Sequence, residues 1–207
     1  MKSDQVLPEA FYDSLSLAHK LDDYLDAFKG EEVHLFAYFA LLLFLYKHNS
    51  LNDWEYKFLV SDNGYPFSIH LNEAIERHKS NGVFEISGGC FLEISARGVD
   101  EFNRFKNMEL FKRRETFLSA ACTTSIAVPY SQTQKALLLE PELNHARKMR
   151  KLASNRWIIE EGDQKHVYKK FAEISKAIGI DVDDLLIPAV AWINYLNASG
   201  NSESDEG

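Results

Sequence analysis

The chain has 207 residues with 31 acidic against 23 basic side chains, a formal net charge of −8 and a pI near 5.4. That balance excludes a protein that holds nucleic acid by blanket positive charge, so any such contact must come from a local patch or through a partner. A hydrophobic content of 45% with 13% aromatic residues is enough for a substantial core, in one domain with extensions or in two small ones.

Cys90 and Cys122 are isolated thiols without metal-ligand spacing and read as buried and reduced. Met1 to Pro8 is polar and mixed in charge, unlike a secretion signal. Val33 to Tyr46 is very apolar but shorter than the roughly 20 residues of a membrane span, and so reads as a core helix. The chain reads as cytoplasmic, with no membrane contact.

Pro8 suits the first turn of a helix. Phe11, Leu15, Ala18, Leu21, Leu25 and Phe28 then mark one apolar stripe that Gly30 would end. Asp13, Lys20, Asp22, Asp23 and Asp26 make the opposite face, expected to be solvated or to meet a basic partner. Glu31 and Glu32 favour the positive end of the next helix, whose apolar positions run nearly all round; His34 and His48 flank it as structural residues. Ser50 can cap a short helix through Glu55, and Asp62-Asn63-Gly64-Tyr65-Pro66 is a turn after the β-prone Phe58-Leu59-Val60.

Phe67 to Lys79 reads as an amphipathic helix, with Ile69, Leu71, Ala74 and Ile75 inward and Asn81-Gly82 as its stop. Its outward residues include His70, Asn72, Glu73, Glu76 and Arg77; two carboxylates there repel phosphate. Val83 to Ile86 and Phe91 to Ile94 are β-prone runs around Ser87-Gly88-Gly89, where a glycine pair can take the positive φ of a tight hairpin. Gly98 reads as a break before a helix that begins near Val99 and continues through Arg104, Lys106, Lys112, Arg113 and Arg114. Helix, hairpin, helix in this order looks like the second half of a winged-helix domain.

Phe117 to Val128 is small and apolar, suited to close helix packing, and Pro129 interrupts it. Gln132 to Leu139 reads as helical, and Glu140-Pro141-Glu142 marks another start. Leu143 to Leu152 carries Arg147, Lys148, Arg150 and Lys151 without an acid, the densest basic cluster; it is a solvated face, or it contacts phosphate or an acidic partner. His166 to Ile178 is a helix with Val167, Phe171, Ile174 and Ile178 inward, stopped by Gly179. Asp181 caps a last helix with Leu185, Leu186, Ala189, Trp192, Ile193 and Leu196 apolar and Pro188 as a bend. This helix must pack on its own domain or on another chain. The tail from Ser199, with Glu203, Asp205 and Glu206, reads as disordered.

The fold expectation is therefore α+β and mainly helical: a winged-helix-like core with its N-terminal helix over 1–108, a helical extension over 109–198, and an acidic tail over 199–207. No phosphate loop, nucleophile elbow, zinc-protease motif or dinucleotide fingerprint is present, and the seven histidines are scattered singly. The reading is of a chain that is not an enzyme, with no cofactor, no metal and no small-molecule substrate.

Three stretches carry a family resemblance: HLFAYFALLLFLYKH, VFEISGGCFLEIS followed by ARGVDEFNRF, and LSAACTTSIAVPYSQTQKAL. Together they span roughly Val33 to Leu137, and the chain resembles the small middle subunit of bacterial three-component ABC-ATPase defence systems of the Lamassu type. The resemblance implies a non-catalytic adaptor that joins an SMC-like ATPase to an effector nuclease and helps to sense DNA. The acidic outward face of the helix before the hairpin departs from the usual DNA-reading pattern. Expected contacts with DNA or partner are Arg104, Lys106, Lys112, Arg113 and Arg114 in one patch, and Arg147, Lys148, Arg150 and Lys151 in the stretch from Leu143 to Arg156. Charge reversal of the second set is expected to abolish function without unfolding the protein. The competing readings are a dimeric winged-helix transcription regulator or antitoxin on duplex DNA, and an enzyme of unknown type.

Overall fold

A computed structural model describes residues 6–25, 27–151, 157–160, 164–178 and 184–202. The readings at Asp26, Arg156, Gly179, Asp181, Glu203, Asp205 and Glu206 fall outside those residues, and the side chains of His166, Phe171 and Ile178 are likewise undescribed. The described residues are mainly helical with two small antiparallel hairpins, as the α+β expectation required. None of their helices is long and apolar enough to cross a membrane.

Helix α1 (Pro8–Asp22) leads to α2 (Gly30–Tyr46) and a 3-10 turn at Leu51–Trp54. Strands β1 (Leu59–Val60) and β2 (Pro66–Phe67) form the first hairpin, followed by α3 (Ile69–Ser80). Strands β3 (Phe84–Ser87) and β4 (Phe91–Ile94) form the second, with Phe84 opposite Ile94 and Ile86 opposite Leu92. Then come α4 (Ala96–Phe105), α5 (Glu109–Ala127), α6 (Tyr130–Leu138), α7 (Pro141–Lys151), α8 (Gln164–Ile178) and α9 (Leu186–Ser202).

α2 is the centre of the core: every residue from Val33 to Leu45 is buried. A helix apolar on all sides must have protein on all sides, and α1, α5, α8 and β2 supply much of it. One continuous core runs from Ala10 to Leu196. Packing crosses residue 108, where the sequence placed a boundary, because α5 lies against both α1 and α2.

Several expectations change. The first helix ends at Asp22 rather than at Gly30; Phe28 leaves the helical stripe and forms an antiparallel bridge with Leu92 of β4. Asp13, assigned to a solvated face, is fully buried. The basic run from Arg104 to Arg114 is two helices, α4 and α5, broken at 106–108. Gly98 lies inside α4 instead of before it. Cys90 is exposed at the tip of the second hairpin, while Cys122 is buried as expected, its thiol pushed up to about 12 by desolvation. α9 packs on the rest of the chain, burying Ala189, Trp192, Ile193 and Leu196 against neighbours that include α5 and α6, with Leu185 buried just before it. Pro188 sits in its first turn, where it needs no bend, and the helix runs through Ser199 to Ser202.

Gly98 has a packing role. A Cβ there would lie 2.6 Å from Ile94 Cγ1 and 2.7 Å from the Val83 carbonyl oxygen. Alanine gains at most about 1 kcal/mol of helix propensity, whereas forcing α4 off the hairpin costs about 1–3 kcal/mol. Gly98→Ala should therefore lower the thermal midpoint, and a rise on calorimetry would show that α4 has room to shift.

His34, buried in α2, accepts the backbone N–H of Ser68 on Nδ1 at 3.2 Å. Desolvation holds its pKa down to about 3, against an ordinary value of 6.5. The unfolded chain then binds a proton that the folded chain refuses, so stability falls as pH drops from 6.5 toward 3. His78, lowered to about 4 by burial, acts in the same direction; Glu140, raised by burial, opposes them at acid pH. His34→Gln keeps an acceptor for Ser68 and should flatten the loss of stability between pH 7 and 5 in melting curves; an unchanged slope would assign the acid sensitivity to other groups.

Candidate interaction site

The nine expected contact residues do not form one surface. Arg114 is internal: its side chain is 8% exposed and that of Asp13 is 0%. Its Nε donates to Asp13 Oδ1 at 2.9 Å, its Nη2 to Asp13 Oδ2, and its Nη1 to the Trp54 carbonyl at 3.3 Å. The guanidinium also stacks 4.0 Å from the centroid of Trp54, and Tyr56 donates its hydroxyl to the same carboxylate. Burial disfavours its charge, but Asp13 more than compensates and the pKa is raised. Arg114 thus ties α5 to α1 and to the segment after the 3-10 turn, and it is withdrawn from the contact set.

Arg113 is exposed but donates to Asn49 Oδ1 and lies over the ring of Phe44. Lys112 pairs with Glu109 one turn back at 2.6 Å. Arg104 is exposed beside Arg97, Asp100 and Glu101 in a shallow concavity whose charges alternate. Lys106 is exposed with its ammonium over Phe102. The first patch is therefore divided among α4, α5 and the core, with acids between its members.

The cluster on α7 divides in the same way. Arg147 donates to the Leu138 carbonyl at 3.0 Å and packs against Gly64. Arg150 donates to the Val60 carbonyl and pairs with Asp62. Both arginines fasten α7 to the β1–β2 turn, which the periodicity of α7 could not reveal. Lys148 and Lys151 remain exposed. Arg147, Arg150 and Lys151, with Ser61, Asp62 and Asn63, line a concavity of about 330 Å³.

Glu140 shows why α7 starts where it does. Its carboxylate accepts the Leu143 N–H and the Tyr38 hydroxyl, both at 2.8 Å, so it caps α7 and ties it to α2. Glu115 plays a similar part on α5, accepting from Tyr12 at 2.7 Å and Ser16 at 2.6 Å and pairing with Lys20. Those three α1 residues are four apart and so share one helix face.

The other exposed candidate is the second hairpin with α3. Gly88 (φ 54°) and Gly89 (φ 88°) make its tip, and Ile86 and Phe91 are large exposed apolar side chains beside it. Glu85 stands opposite Glu93, and α3 exposes His70, Glu73, Glu76 and Arg77, with Asn72 half-buried. His70, Glu73, Glu76 and Arg77 face outward as read from the spacing, but Ile69, read as inward, is 50% exposed at the start of α3. The sequence reading named Ile86 and Phe91 only as members of β-prone runs and did not single out the apolar hairpin tip they form.

Among the described residues no group of three or more His, Cys, Asp or Glu is placed to hold a metal ion. A scan against protein-family models, a search of curated proteins and a search of solved structures return no match to this chain.

Two substitution sets separate structural from surface cations. Arg114→Leu leaves Asp13 buried and uncompensated and should cost about 3–5 kcal/mol in denaturant unfolding. Lys148→Glu with Lys151→Glu should stay within about 1 kcal/mol of the parent. Equal effects from the two would mean that the buried pair contributes no more than an exposed one.

Proposed function

We propose that this chain is a non-catalytic adaptor built on a winged-helix core, the small subunit of an SMC-like ATPase and nuclease complex acting in the cytoplasm against viruses or plasmids. One observation carries the reading: the Phe28–Leu92 bridge. This single-residue bridge sets the segment between α1 and α2 beside β4, which supports reading α1, the bridge, α2, α3 and the second hairpin in winged-helix order, with the β1–β2 hairpin as an insertion. A fold of this kind serves many functions, so the surface chemistry has to choose among them.

The wing and α3 favour protein over phosphate. Glu73 and Glu76 on α3 and Glu85 and Glu93 on the wing stand where a duplex reader would need cations. Exposed Ile86 and Phe91 instead offer an apolar contact. Lys148 and Lys151 are the cations of the α7 cluster that stay exposed, and DNA contact is assigned to them within the assembled complex. The resemblance over Val33 to Leu137 supplies the identity of the partners.

Co-expression with the products of neighbouring genes provides the test. The chain should co-purify in fixed ratio with an SMC-like ATPase and a nuclease, and Lys148→Glu with Lys151→Glu should weaken DNA binding by that complex without dissolving it. Tight binding of the isolated chain to one duplex, falling steeply with salt, would transfer the assignment to a winged-helix regulator or antitoxin.

A further inference from the structure

The cations of α7 do not share a face. Arg150 is fastened to the β1–β2 turn and Arg147 packs against it. Lys148 stands on another side of the helix, with Asn144 and His145 one turn before it on the same face. These three line a cleft of about 340 Å³ whose opposite wall is α9, through Tyr195, Leu196 and Ser199. The chain has 31 acidic residues, yet none lines this cleft. Among the described residues neither Lys148 nor His145 has an ion-pair or hydrogen-bond partner. Tyr195 adds an aromatic platform. Its ring is stacked on that of the buried Trp192, with centroids 5.7 Å apart and planes 23° from parallel. The ring is thereby held in place while Tyr195 stays 47% exposed.

We infer that this cleft holds one unstacked nucleotide of single-stranded DNA, its base laid on Tyr195 and its phosphate at Lys148 and His145. A cationic wall beside an aromatic platform is the pairing by which proteins hold single strands: charge tracks the backbone and the ring stacks the base. Asn144 offers an amide donor and a carbonyl acceptor to the base edge or the sugar. Duplex DNA uses less of the site. Its bases are already stacked on one another, so it brings phosphates to Lys148 and leaves the Tyr195 ring uncovered. An acidic protein segment has the same shortcoming, since carboxylates satisfy the cations and offer the ring nothing. The inference rests on the adaptor reading in taking Lys148 as a DNA contact, and narrows that contact from DNA in general to a single strand.

The full chain is irradiated at low salt with an oligothymidine carrying a single 5-iodouracil, and the crosslinked peptide is identified by mass spectrometry. The crosslink should fall on Tyr195. In titrations of a fluorescent oligothymidine, Tyr195→Ala should weaken binding about tenfold, while Tyr195→Phe, which keeps the ring, should bind as the parent does. Lys148→Ala should also weaken it and make it less sensitive to salt. Duplex binding should not respond to Tyr195→Ala, because charge alone carries it. Should Tyr195→Ala fail to fold, the crosslink on the parent chain decides. A crosslink only elsewhere, or none, overturns the proposal. So does displacement of the strand by polyglutamate as readily as by unlabelled oligothymidine, or tighter binding of oligouridine than of oligothymidine. Failure here with successful co-purification removes the nucleotide site and leaves the adaptor. A Tyr195 crosslink without co-purification leaves the site and removes the ATPase–nuclease complex.

Discussion

The buried pair of Asp13 and Arg114 is the constraint around which the α1–α5 half of the molecule is arranged. An ionised carboxylate with no exposure is tolerable only if its counter-charge and hydrogen bonds are in place. Here the guanidinium and the Tyr56 hydroxyl supply them, and the Trp54 ring lies against the guanidinium. The requirement fixes the facing of α1 against α5 and the path of the chain from 54 to 56. Hydrophobic packing alone would leave that arrangement loosely specified, because apolar surfaces slide past one another at small cost whereas a bidentate ion pair does not.

The same device recurs around the core. Glu115 collects Tyr12, Ser16 and Lys20 along one face of α1, and Glu140 joins Tyr38 of α2 to the first turn of α7. His34 takes the amide at the start of α3, and His78 bonds the Phe11 carbonyl at 3.0 Å. Apart from the Glu140–Leu143 cap, each link joins residues more than thirty positions apart. α2 is apolar nearly all round and could sit at several rotations; the links its own Tyr38 and His34 make to Glu140 and Ser68 select one.

This arrangement also explains how the basic residues are used. Arg114, Arg147 and Arg150 reach inward to carboxylates and carbonyls, where a planar fork of donors satisfies several acceptors at once. The lysines Lys148 and Lys151 stay in water, which suits a compact, strongly hydrated charge. The exposed surface of the second hairpin is acidic and apolar, so the two candidate surfaces differ in chemistry.

Much of the local structure was legible in the chain. The all-round apolarity of α2, the Gly88-Gly89 turn, the exposed face of α3 and the break at Pro129 follow from periodicity and backbone preference, which neighbouring residues alone decide. The candidate site was legible only as a set of charges, because a cation at helical spacing looks the same whether it faces water or an acid a hundred residues away. Phe28 fitted a helical stripe until β4 offered it an edge, and Asp13 looked solvated until Arg114 met it. By itself the sequence determined the helices, the turns and the central buried segment, since these depend on contacts within a few residues. Which charges were buried in pairs, which stayed on the surface and where Phe28 met β4 were decided by tertiary structure, because desolvation and pairing depend on partners distant in the chain.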